Sequence, residues 1–459
     1  MSAPFWTLTR IADALDGRAL GVRVLGAIPQ GEEPLHAIST DTRTVTEGDC
    51  FVALVGERFD AHDFLADAVA KGAQALVVSR AEKTADLGVP VYQVADTQAA
   101  LGAFANYRRR VWGRTVIGIG GSNGKTTTKE LVRAALGSVL QVHATHANLN
   151  NLIGVPLTLL ALPDEADVAV VEMGMNVPGE MEQLRAIVEP DIALLTCVAE
   201  EHLEGLGSLE TVMREETLLY DGAALAIAPA IQPEIADIAL HKAARVVTAG
   251  LDAGDVRAER WGMEAEGQGW IEIESTTVRP PVRGAHNLRN AMLALAVARE
   301  CGVSMSDAAR GIAGMTLPAM RTSWESLGCA TLINDAYNAS PASMRAALDL
   351  LDSLGDRRPR VAVLGTMREL GAHAERLHAE IARRALQSSI EVLAGVGEMG
   401  AALDAAAHGD PRVVVADDVE RVWAALEPRL APNAIILLKA SRAVRLERLV
   451  PFLTAWADR

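Results

Sequence analysis

The segment VIGIGGSNGKTTTKE, from Val116 to Glu130, decides the fold of this chain. Its first residues are apolar and β-branched, as in a buried strand, and its last residues are typical of a helix. The glycines between them allow backbone N–H groups to approach phosphate oxygens, and the positive end of the helix faces the same point. A lysine and a threonine then supply an ammonium for the β- and γ-phosphates and a hydroxyl for Mg²⁺. We therefore predict an ATP-binding loop formed by Gly121, Ser122, Asn123, Gly124, Lys125, Thr126 and Thr127.

This loop departs from the strict pattern G-x-x-x-x-G-K-[ST] at one place, because Ile119 stands where the first glycine would be. A glycine-rich turn with an exposed lysine is the alternative interpretation. The order of strand, glycines, lysine, threonine and helix favours the nucleotide loop.

The composition restricts the class of protein. The chain has 459 residues, more than a typical single domain, and 50% of them are hydrophobic, so a sizeable core can form. A formal net charge of −16 argues against a nucleic-acid-binding surface. Four cysteines lie far apart without a C-x-x-C pair, which predicts reduced thiols rather than disulfides or a zinc site. No signal-peptide pattern and no apolar run of membrane-spanning length are present, so we expect a cytoplasmic protein without membrane insertion.

Alternating strand-like and helical segments predict an α/β fold with three domains. Residues 1–97 are expected to form a small α/β N-terminal domain. Residues 98–318 contain the phosphate loop among recurring apolar strands, which predicts a central P-loop-type, doubly wound, mostly parallel sheet. Residues 255–282 resemble a β-rich insertion in that domain. Residues 319–459 alternate again and predict a C-terminal Rossmann-like domain.

Two residues outside the loop are candidate metal ligands by type and position. Glu172 follows an apolar strand, where a carboxylate can ligate Mg²⁺ at the edge of a parallel sheet. A solvated glutamate at a strand end is the alternative. His202 follows the next strand and can ligate a metal or orient an attacking group, although a lone loop histidine more often does neither.

Asparagines form a second group of candidates. The side-chain amides of Asn148, Asn150 and Asn151 precede an apolar run and can hold phosphate or carboxylate oxygens, or serve only as turn residues. Asn287 stands at the start of a predicted helix, which it can cap instead of contacting a ligand.

The C-terminal third offers candidates at the ends of its strands. Asp335 can accept a hydrogen bond from a ribose hydroxyl, and Arg321 can bridge phosphate charge. Asn338 follows in the same segment. The segment KASRAVRLE, which starts at Lys439, resembles a cationic loop directed at a carboxylate, with an ordinary surface loop as the alternative.

Together these segments resemble the Mur ligase family, the ATP-dependent amide-forming enzymes of peptidoglycan synthesis. The phosphate loop, EMGMNVPGE, HLEGLGS and AHNLRNA follow the family order over essentially the whole chain. The segment from Ser39 to Phe64 resembles the uridine-nucleotide-binding pattern of the branches that add the third residue and the final dipeptide. The segments from Asn334 to Leu348 and from Leu364 to Gly371 resemble the branch that adds D-alanyl-D-alanine.

The resemblance implies ATP-dependent ligation of D-alanyl-D-alanine to UDP-N-acetylmuramoyl-tripeptide through an acyl phosphate, with release of ADP and phosphate. The product would be the pentapeptide precursor of peptidoglycan. We expect a monomer whose partners are these two substrates and not nucleic acid. Another Mur-type ligase, such as the third-residue-adding or folate-type enzyme, is one alternative. A non-ligating NTP-binding protein is the other.

The resemblance also implies roles for single residues. Lys125 and one or two Mg²⁺ ions would neutralise the two anions that must meet. Thr126 and Glu172 would hold the first ion, and His202 would belong to the second. Asn287 is implied near the adenine, Asp335 near the ribose, and Arg321 near the phosphates after the C-terminal domain closes. The implied substrate-binding residues are Ser39, Thr40, Arg43, Asn148, Asn150 and Asn338.

Two positions depart from the family pattern. Gly120 stands where the family loop usually has threonine, which we expect to cost one hydroxyl and little else. Glu216 stands where many Mur ligases have a lysine that CO₂ converts to a carbamate, which binds the second Mg²⁺. No lysine occurs between Lys129 and Lys242, so that modification cannot occur here. We hypothesise that Glu216 supplies the carboxylate directly, with neighbouring Glu215 as the alternative.

Overall fold

The computed structural model describes residues 4–17, 20–25, 34–56, 58–84, 87–316, 320–355 and 357–459. These residues form two compact units, and each is described by itself. The first unit comprises residues 1–114, 145–166 and 183–189, and the second comprises residues 115–144, 167–182 and 190–459.

The first unit is an α/β structure built on a five-stranded sheet. Its elements are β1 (Trp6–Thr7), β2 (Arg23–Leu25), β3 (Pro34–Leu35), β4 (Ile38–Ser39), β5 (Cys50–Val52), β6 (Ala75–Val78), β7 (Val91–Gln93), α1 (Leu8–Asp16), α2 (Leu65–Ala70) and α3 (Thr97–Trp112). The sheet has the order β2-β7-β6-β5-β4, in which β2 is antiparallel to β7 and the other pairs are parallel. A short antiparallel ladder joins β1 to β3.

Helix α3 shows how local sequence sets the limits of an element. It begins at Thr97 because the Asp96 side chain accepts hydrogen bonds from the N–H groups of Gln98 and Ala99. It ends at Gly113, whose φ of 69° is in the left-handed region that glycine adopts readily. Helix α3 therefore occupies the 16 residues between these two caps.

The second unit contains the sheet that carries the phosphate loop. Its strands are β8 (Thr115–Gly120), β9 (Val142–Ala144), β10 (Val168–Glu172), β11 (Ile192–Leu195), β12 (Leu225–Pro229), β13 (Val246–Gly250) and β14 (Val256–Arg257). The sheet is parallel throughout, with the order β14-β13-β12-β11-β8-β10-β9. Because β8 lies between β10 and β11, the loops after these three strands meet at one edge, where ligands bind in such sheets.

Helices and a small antiparallel sheet accompany these strands. Helix α5 (Gly154–Leu160) belongs to the first unit, and α6 (Glu180–Val188) begins in the second unit and ends in the first. The other elements, in chain order, are α4 (Lys125–Leu136), α7 (Leu203–Leu206), α8 (Leu209–Glu216), α9 (Pro233–Ala239), β15 (Arg260–Met263), β16 (Gly269–Ile273), β17 (Thr276–Val278), α10 (Ala285–Glu300) and α11 (Met305–Ala313). Helix α10 packs against α4, and buried residues of both helices belong to the core around β8 and β10. Strands β15, β16 and β17 are antiparallel neighbours, as the β-rich insertion predicts.

The C-terminal part of the second unit has a sheet and a core of its own. Its elements are β18 (Ser323–Leu327), β19 (Ala330–Asn334), α12 (Pro341–Ser353), β20 (Arg360–Gly365), α13 (Ala374–Leu386), β21 (Val392–Val396), α14 (Glu398–Ala407), β22 (Val413–Ala416), α15 (Val419–Leu426), β23 (Ile435–Lys439) and α16 (Val450–Ala457). The sheet order is β18-β19-β23-β20-β21-β22, with β18 antiparallel and the other pairs parallel. The carboxyl ends of β19, β23 and β20 therefore lie side by side.

The five-, seven- and six-stranded sheets confirm the predicted α/β class with three domains. The boundaries at residues 97/98 and 318/319 stay predictions, and residues 317–319 lie outside the described residues. None of the helices found in the described residues is long and apolar enough to cross a membrane.

Candidate active site

The phosphate loop has a backbone that only glycine fits at two positions. Gly121 and Gly124 have φ values of 114° and 83°. A Cβ on Gly121 would lie 2.3 Å from the Thr196 hydroxyl, and one on Gly124 would lie 2.7 Å from the Asn290 side-chain nitrogen. Both positions therefore combine a left-handed backbone with a close neighbour, which explains the glycines in the motif.

The loop is anchored to the segment after β11. The Ser122 N–H donates to the Cys197 carbonyl at 2.8 Å, and the Thr196 hydroxyl donates to the Asn123 carbonyl at 2.6 Å. No side chain caps α4 in the described part of the chain, and the buried amide nitrogen of Asn123 has no hydrogen-bond partner there. These unused donors at a helix N-terminus fit the phosphate groups of a nucleotide.

Lys125 is largely enclosed at the start of α4. Its Nζ donates to the carbonyl of Gly121 at 2.5 Å and lies 3.5 Å from Glu201 Oε1. Burial alone lowers the pKa of this ammonium, but the carboxylates of Glu201, Glu216 and Glu172 outweigh it, and the net shift is upward. The ammonium therefore stays charged where an anion would meet it.

The side chains of Thr126 and Glu172 lie next to each other. The Thr126 hydroxyl donates to Glu172 Oε1 at 3.1 Å, and both side chains are buried. No three His, Cys, Asp or Glu side chains within the described ranges are close enough to hold a metal ion by themselves. Two oxygen donors side by side suit Mg²⁺, which is commonly held by one or two protein carboxylates together with substrate phosphates.

Glu216 lies against the phosphate loop, whereas Glu215 does not. The Gly121 N–H donates to Glu216 Oε2 at 2.8 Å, and the Glu216 side chain is buried. Burial raises the pKa of Glu216 to about 7, although the positive charge of Lys125 opposes the shift. The Glu215 carboxylate instead accepts from the Gly179 N–H at 2.8 Å and pairs with Arg214.

Gly120 provides the space for this carboxylate. A Cβ on Gly120 would lie 3.1 Å from Glu216 Oε2 and 3.0 Å from the side chains of Leu195 and Leu219. The expectation that Gly120 merely loses a hydroxyl was therefore incomplete. The missing side chain admits the buried glutamate.

His202 is held by a residue of the C-terminal sheet region. Its Nδ1 lies 2.5 Å from Glu369 Oε2, and its Nε2 lies 3.8 Å from Glu201 Oε2. Burial lowers the pKa of His202, but the hydrogen bond to Glu369 and the charge of Glu201 raise it overall. Burial raises the pKa of Glu201, despite the nearby charges of Lys125 and His202. His202 therefore belongs to the same charged cluster as the lysine.

Asn287 is linked to the phosphate loop through a neighbour. Asn290 lies against Gly124 and donates a side-chain hydrogen bond to Asn287 Oδ1 at 3.2 Å. The interpretation of Asn287 as a helix cap is wrong, because Gly284 occupies that position and the Asn287 amide donates to the Arg283 carbonyl at 2.9 Å.

The C-terminal candidates gather around Lys439 at the end of β23. The Lys439 Nζ lies 2.5 Å from Asp335 Oδ2 and 3.2 Å from the carbonyl of Asn338. Arg321 stacks on the ring of Tyr337, with 4.1 Å between the guanidinium carbon and the ring centroid. Thus Asp335 and Asn338 share one cation, whereas Arg321 contacts an aromatic ring.

This region also contacts the phosphate loop directly. The hydroxyl of Ser340, which caps α12, donates to Asn123 Oδ1 at 2.9 Å. Arg345 on the same helix pairs with Glu200, in the loop after β11, at 3.3 Å. The C-terminal sheet region therefore contacts two loops at the edge of the seven-stranded sheet, the phosphate loop and the loop after β11. We call this edge the nucleotide edge.

The remaining candidates lie in the first unit. Ser39 closes β4, and Arg43 forms a bidentate pair with Asp41, at 2.6 Å for the shorter contact. The Asn150 N–H donates to the Asn148 carbonyl at 2.8 Å. Asn151 accepts from the N–H groups of residues 153 and 154, at 3.2 and 2.9 Å, as expected for a turn residue. Thr40 lies in the turn after β4.

The sequence prediction missed three residues that the structure brings to this edge, namely Glu201, Ser340 and Glu369. Glu201 directly precedes His202, which was a candidate, and that adjacency was available as a signal. The places of Ser340 and Glu369 depend on contacts between distant segments, which no local pattern encodes.

Comparisons with known proteins match this architecture over most of the chain. The model described as Mur ligase family, catalytic domain, matches residues 34–109, and the Mur ligase middle domain matches residues 119–298. The model described as Mur ligase, glutamate ligase domain, matches residues 320–442.

Individual relatives are similar over nearly their full length. The UDP-N-acetylmuramoyl-tripeptide--D-alanyl-D-alanine ligase of Bacillus subtilis is 35% identical over 438 residues, covering 92% of this chain and 94% of the relative. Crystal structure I of MurF from Acinetobacter baumannii matches with a TM-score of 0.88 and 31% identity, over 98% of this chain and 99% of the other. A MurF ligase from Thermotoga maritima, solved in complex with ADP, matches with a TM-score of 0.82 and 27% identity, over 92% and 98% of the two chains.

Proposed function

Because the chain belongs to the Mur ligase family, we propose that it joins D-alanyl-D-alanine to UDP-N-acetylmuramoyl-tripeptide at the expense of ATP. The products would be the UDP-linked pentapeptide, ADP and phosphate. The observation that carries the proposal is the enclosed Lys125 ammonium at the phosphate loop, whose Nζ lies 2.5 Å from the Gly121 carbonyl and 3.5 Å from Glu201 Oε1. A relative that is named for this activity and a similar structure solved in complex with ADP support it.

The reaction must bring the tripeptide carboxylate to the γ-phosphate of ATP, so two anions have to approach each other. ATP supplies the phosphoryl group that activates the carboxylate as an acyl phosphate, which the amine of the dipeptide then attacks. The Lys125 ammonium offsets the negative charge, and the amides at the start of α4 hold the phosphate oxygens. Positioning and electrostatics therefore account for the catalysis.

Mg²⁺ would supply further neutralising charge at this edge. Thr126 and Glu172 are the residues that would hold one ion. We assign Glu216 and His202 to a second ion, because both lie in the charged cluster around Lys125. Glu216 then provides a carboxylate where relatives of the family use a carbamylated lysine.

Four groups of residues are proposed to recognise parts of the substrates. Ser39, Thr40 and Arg43 are proposed for the uridine end, and Asn148 and Asn150 for the muramoyl-peptide region. Asn287, Arg321 and Asp335 are proposed for the nucleotide, and Asn338 for the incoming dipeptide. Cytoplasmic localisation and the monomeric state stay predictions.

A coupled assay of ADP release tests the function directly. With ATP, Mg²⁺ and UDP-N-acetylmuramoyl-tripeptide, we expect turnover when D-alanyl-D-alanine is added. We expect none above background when glutamate, lysine or diaminopimelate replaces it. Turnover with a single diamino acid and the UDP-dipeptide would instead identify the third-residue-adding ligase. ATP binding without ADP release under every combination would identify a non-ligating protein.

A further inference from the structure

A contact between His202 and Glu369 links loops of the seven-stranded and the six-stranded sheet of the second unit at the candidate metal site. His202, in the loop after β11, and Glu369, in the loop after β20, are 167 positions apart in the chain. His202 Nδ1 and Glu369 Oε2 are nevertheless 2.5 Å apart. The histidine side chain is 16% exposed and the glutamate side chain 55% exposed. The contact therefore joins an enclosed ring to a carboxylate that arrives from another sheet.

The backbone of both loops is shaped for this contact. His202 and Glu369 have φ values of 50° and 64°, which non-glycine residues rarely adopt. The Glu204 N–H donates to the Glu369 carbonyl at 2.9 Å, and His373 Nε2 lies 3.0 Å from the carbonyl of Gly207. A Cβ on Gly371 would lie 3.0 Å from the Cα of Glu204, so the loops meet closely. We call this set of contacts between residues 202–207 and 369–373 the loop clasp.

In the neutral ring, the contact with Glu369 determines which nitrogen of His202 carries the proton. A carboxylate only accepts hydrogen bonds, so Nδ1 must donate to Glu369. In the neutral ring, Nε2 then has the free lone pair, which a metal ion requires. Nε2 is also the nitrogen nearer to Glu201, whose carboxylate lies beside Lys125. The ring thus presents its available nitrogen toward the charged cluster.

We propose that Glu369 is a positioning residue that orients the His202 imidazole for a divalent cation. This inference rests on the proposed function, because the cation would be the second Mg²⁺ of the ligation. A carboxylate behind a metal-binding histidine commonly contributes 10- to 100-fold, an order-of-magnitude range, to metal affinity or activity. Since Glu369 belongs to the loop after β20, the metal site is complete only when the loop clasp is formed.

The experiment compares Glu369→Gln with two control variants. Glu398→Gln removes a carboxylate that is 52% exposed, lies on the same sheet region and pairs with Arg368 rather than His202. His373→Ala removes a different contact of the loop clasp and leaves the His202 pair intact. Mn²⁺ binding is titrated by electron paramagnetic resonance in the presence of a non-hydrolysable ATP analogue. The ¹⁵N spectrum of histidine-labelled apoprotein reports the tautomer of His202, assigned with His202→Gln.

For Glu369→Gln we expect Mn²⁺ affinity to fall by about 10-fold or more. We also expect the Nδ1-protonated signature to weaken, because a neutral amide oxygen is a poorer acceptor than a carboxylate. We expect kcat to fall while KM for the UDP-substrate stays near wild type. Glu398→Gln should resemble wild type, and His373→Ala should keep the tautomer signature. The inference is wrong if Glu369→Gln and His373→Ala lower Mn²⁺ affinity equally and the ¹⁵N signature of His202 is unchanged in both. Glu369 would then only hold the two loops of the loop clasp together. A wild-type protein without ligase turnover would contradict the proposed function instead.

Discussion

At the scale of single residues, the site depends on a carboxylate that fits where a neighbour has no side chain. Glu216 is buried and accepts from the Gly121 N–H at 2.8 Å. Gly120 leaves the space for it, since a Cβ there would come within 3.1 Å of Glu216 Oε2. The two positions that depart from the family pattern therefore touch each other. We infer that the effect of a substitution at one position on the free energy of unfolding depends on the residue at the other.

A double-mutant cycle measures that dependence. Gly120→Ala should destabilise the wild-type protein by about 1 to 3 kcal/mol through overpacking, and should cost less in a Glu216→Ala background. The difference should exceed about 0.5 kcal/mol in the free energy of unfolding, obtained from denaturant titrations.

Gly118→Ala serves as the control, because its Cβ would meet Pro190 and Met173 in the same core, away from Glu216. Its cost should be equal in both backgrounds. Equal costs for Gly120→Ala in the two backgrounds would show that Glu216 does not need the space.

A second prediction at this scale concerns His286, which is partly buried near the C-terminal candidates. Burial lowers its pKa from 6.5 to about 4, although the charge of Asp335 acts in the other direction. The unfolded chain therefore binds more protons than the folded protein between these values, and stability falls as the pH decreases through this range.

From pH 7 to pH 4.5, the free energy of unfolding of the wild type should fall by about 2 to 3 kcal/mol more than that of His286→Asn. Urea titrations at several pH values give both curves. Parallel curves would mean that His286 keeps its ordinary pKa in the folded protein.

At the scale of secondary-structure elements, α8 shows how a helix distributes adjacent side chains. Successive residues of a helix point in directions about 100° apart. Glu216 therefore meets the phosphate loop, while Glu215 meets the Gly179 N–H at 2.8 Å. The helix thus supplies one carboxylate to the candidate site and one to a separate structural contact.

This arrangement predicts catalysis without bicarbonate. ADP release should be unchanged when CO₂ and bicarbonate are removed, because Glu216 already carries a carboxylate. Glu216→Gln should raise the Mg²⁺ concentration at half-maximal rate by about 10-fold or more.

Glu215→Gln is the matched variant, one residue away on the same helix, and should change the Mg²⁺ requirement little. A strong bicarbonate requirement of the wild type, or equal effects of the two substitutions, would remove Glu216 from the metal site.

The strands, helices and loops that form the site could largely be predicted, because their positions depend on residues that are close together in the sequence. The motif after β8 places glycines, Lys125 and Thr126 at a strand-to-helix junction, and the structure has that junction. Glu172 at the end of β10 and His202 after β11 follow from the rule that ligands bind at the carboxyl ends of parallel strands. The β-rich insertion was visible from its composition.

Contacts between distant segments were not predictable in this way. The pairing of His202 with Glu369 and of Ser340 with Asn123 joins residues 167 and 217 positions apart. Nothing in the local sequence sets these pairs, since they depend on how one sheet region packs on another. The space that Gly120 leaves for Glu216 has the same origin.

At the scale of the whole molecule, the chain is a Mur-type ligase whose second unit combines a nucleotide edge with a C-terminal sheet region. Both regions contribute to the site, because Asn123 contacts Ser340 and His202 contacts Glu369. We infer that a charged, enclosed Lys125 is required for the step in which a carboxylate receives phosphate.

The most direct test is the rate of pentapeptide formation by Lys125→Met, measured by ADP release and by product mass with saturating ATP, Mg²⁺, UDP-tripeptide and D-alanyl-D-alanine. We expect kcat to fall by about 10²- to 10³-fold or more, with the fold retained. Lys242→Met, which removes a comparably enclosed lysine paired with Asp221, should stay near wild type. Amide-bond formation by Lys125→Met at the wild-type rate would contradict the account.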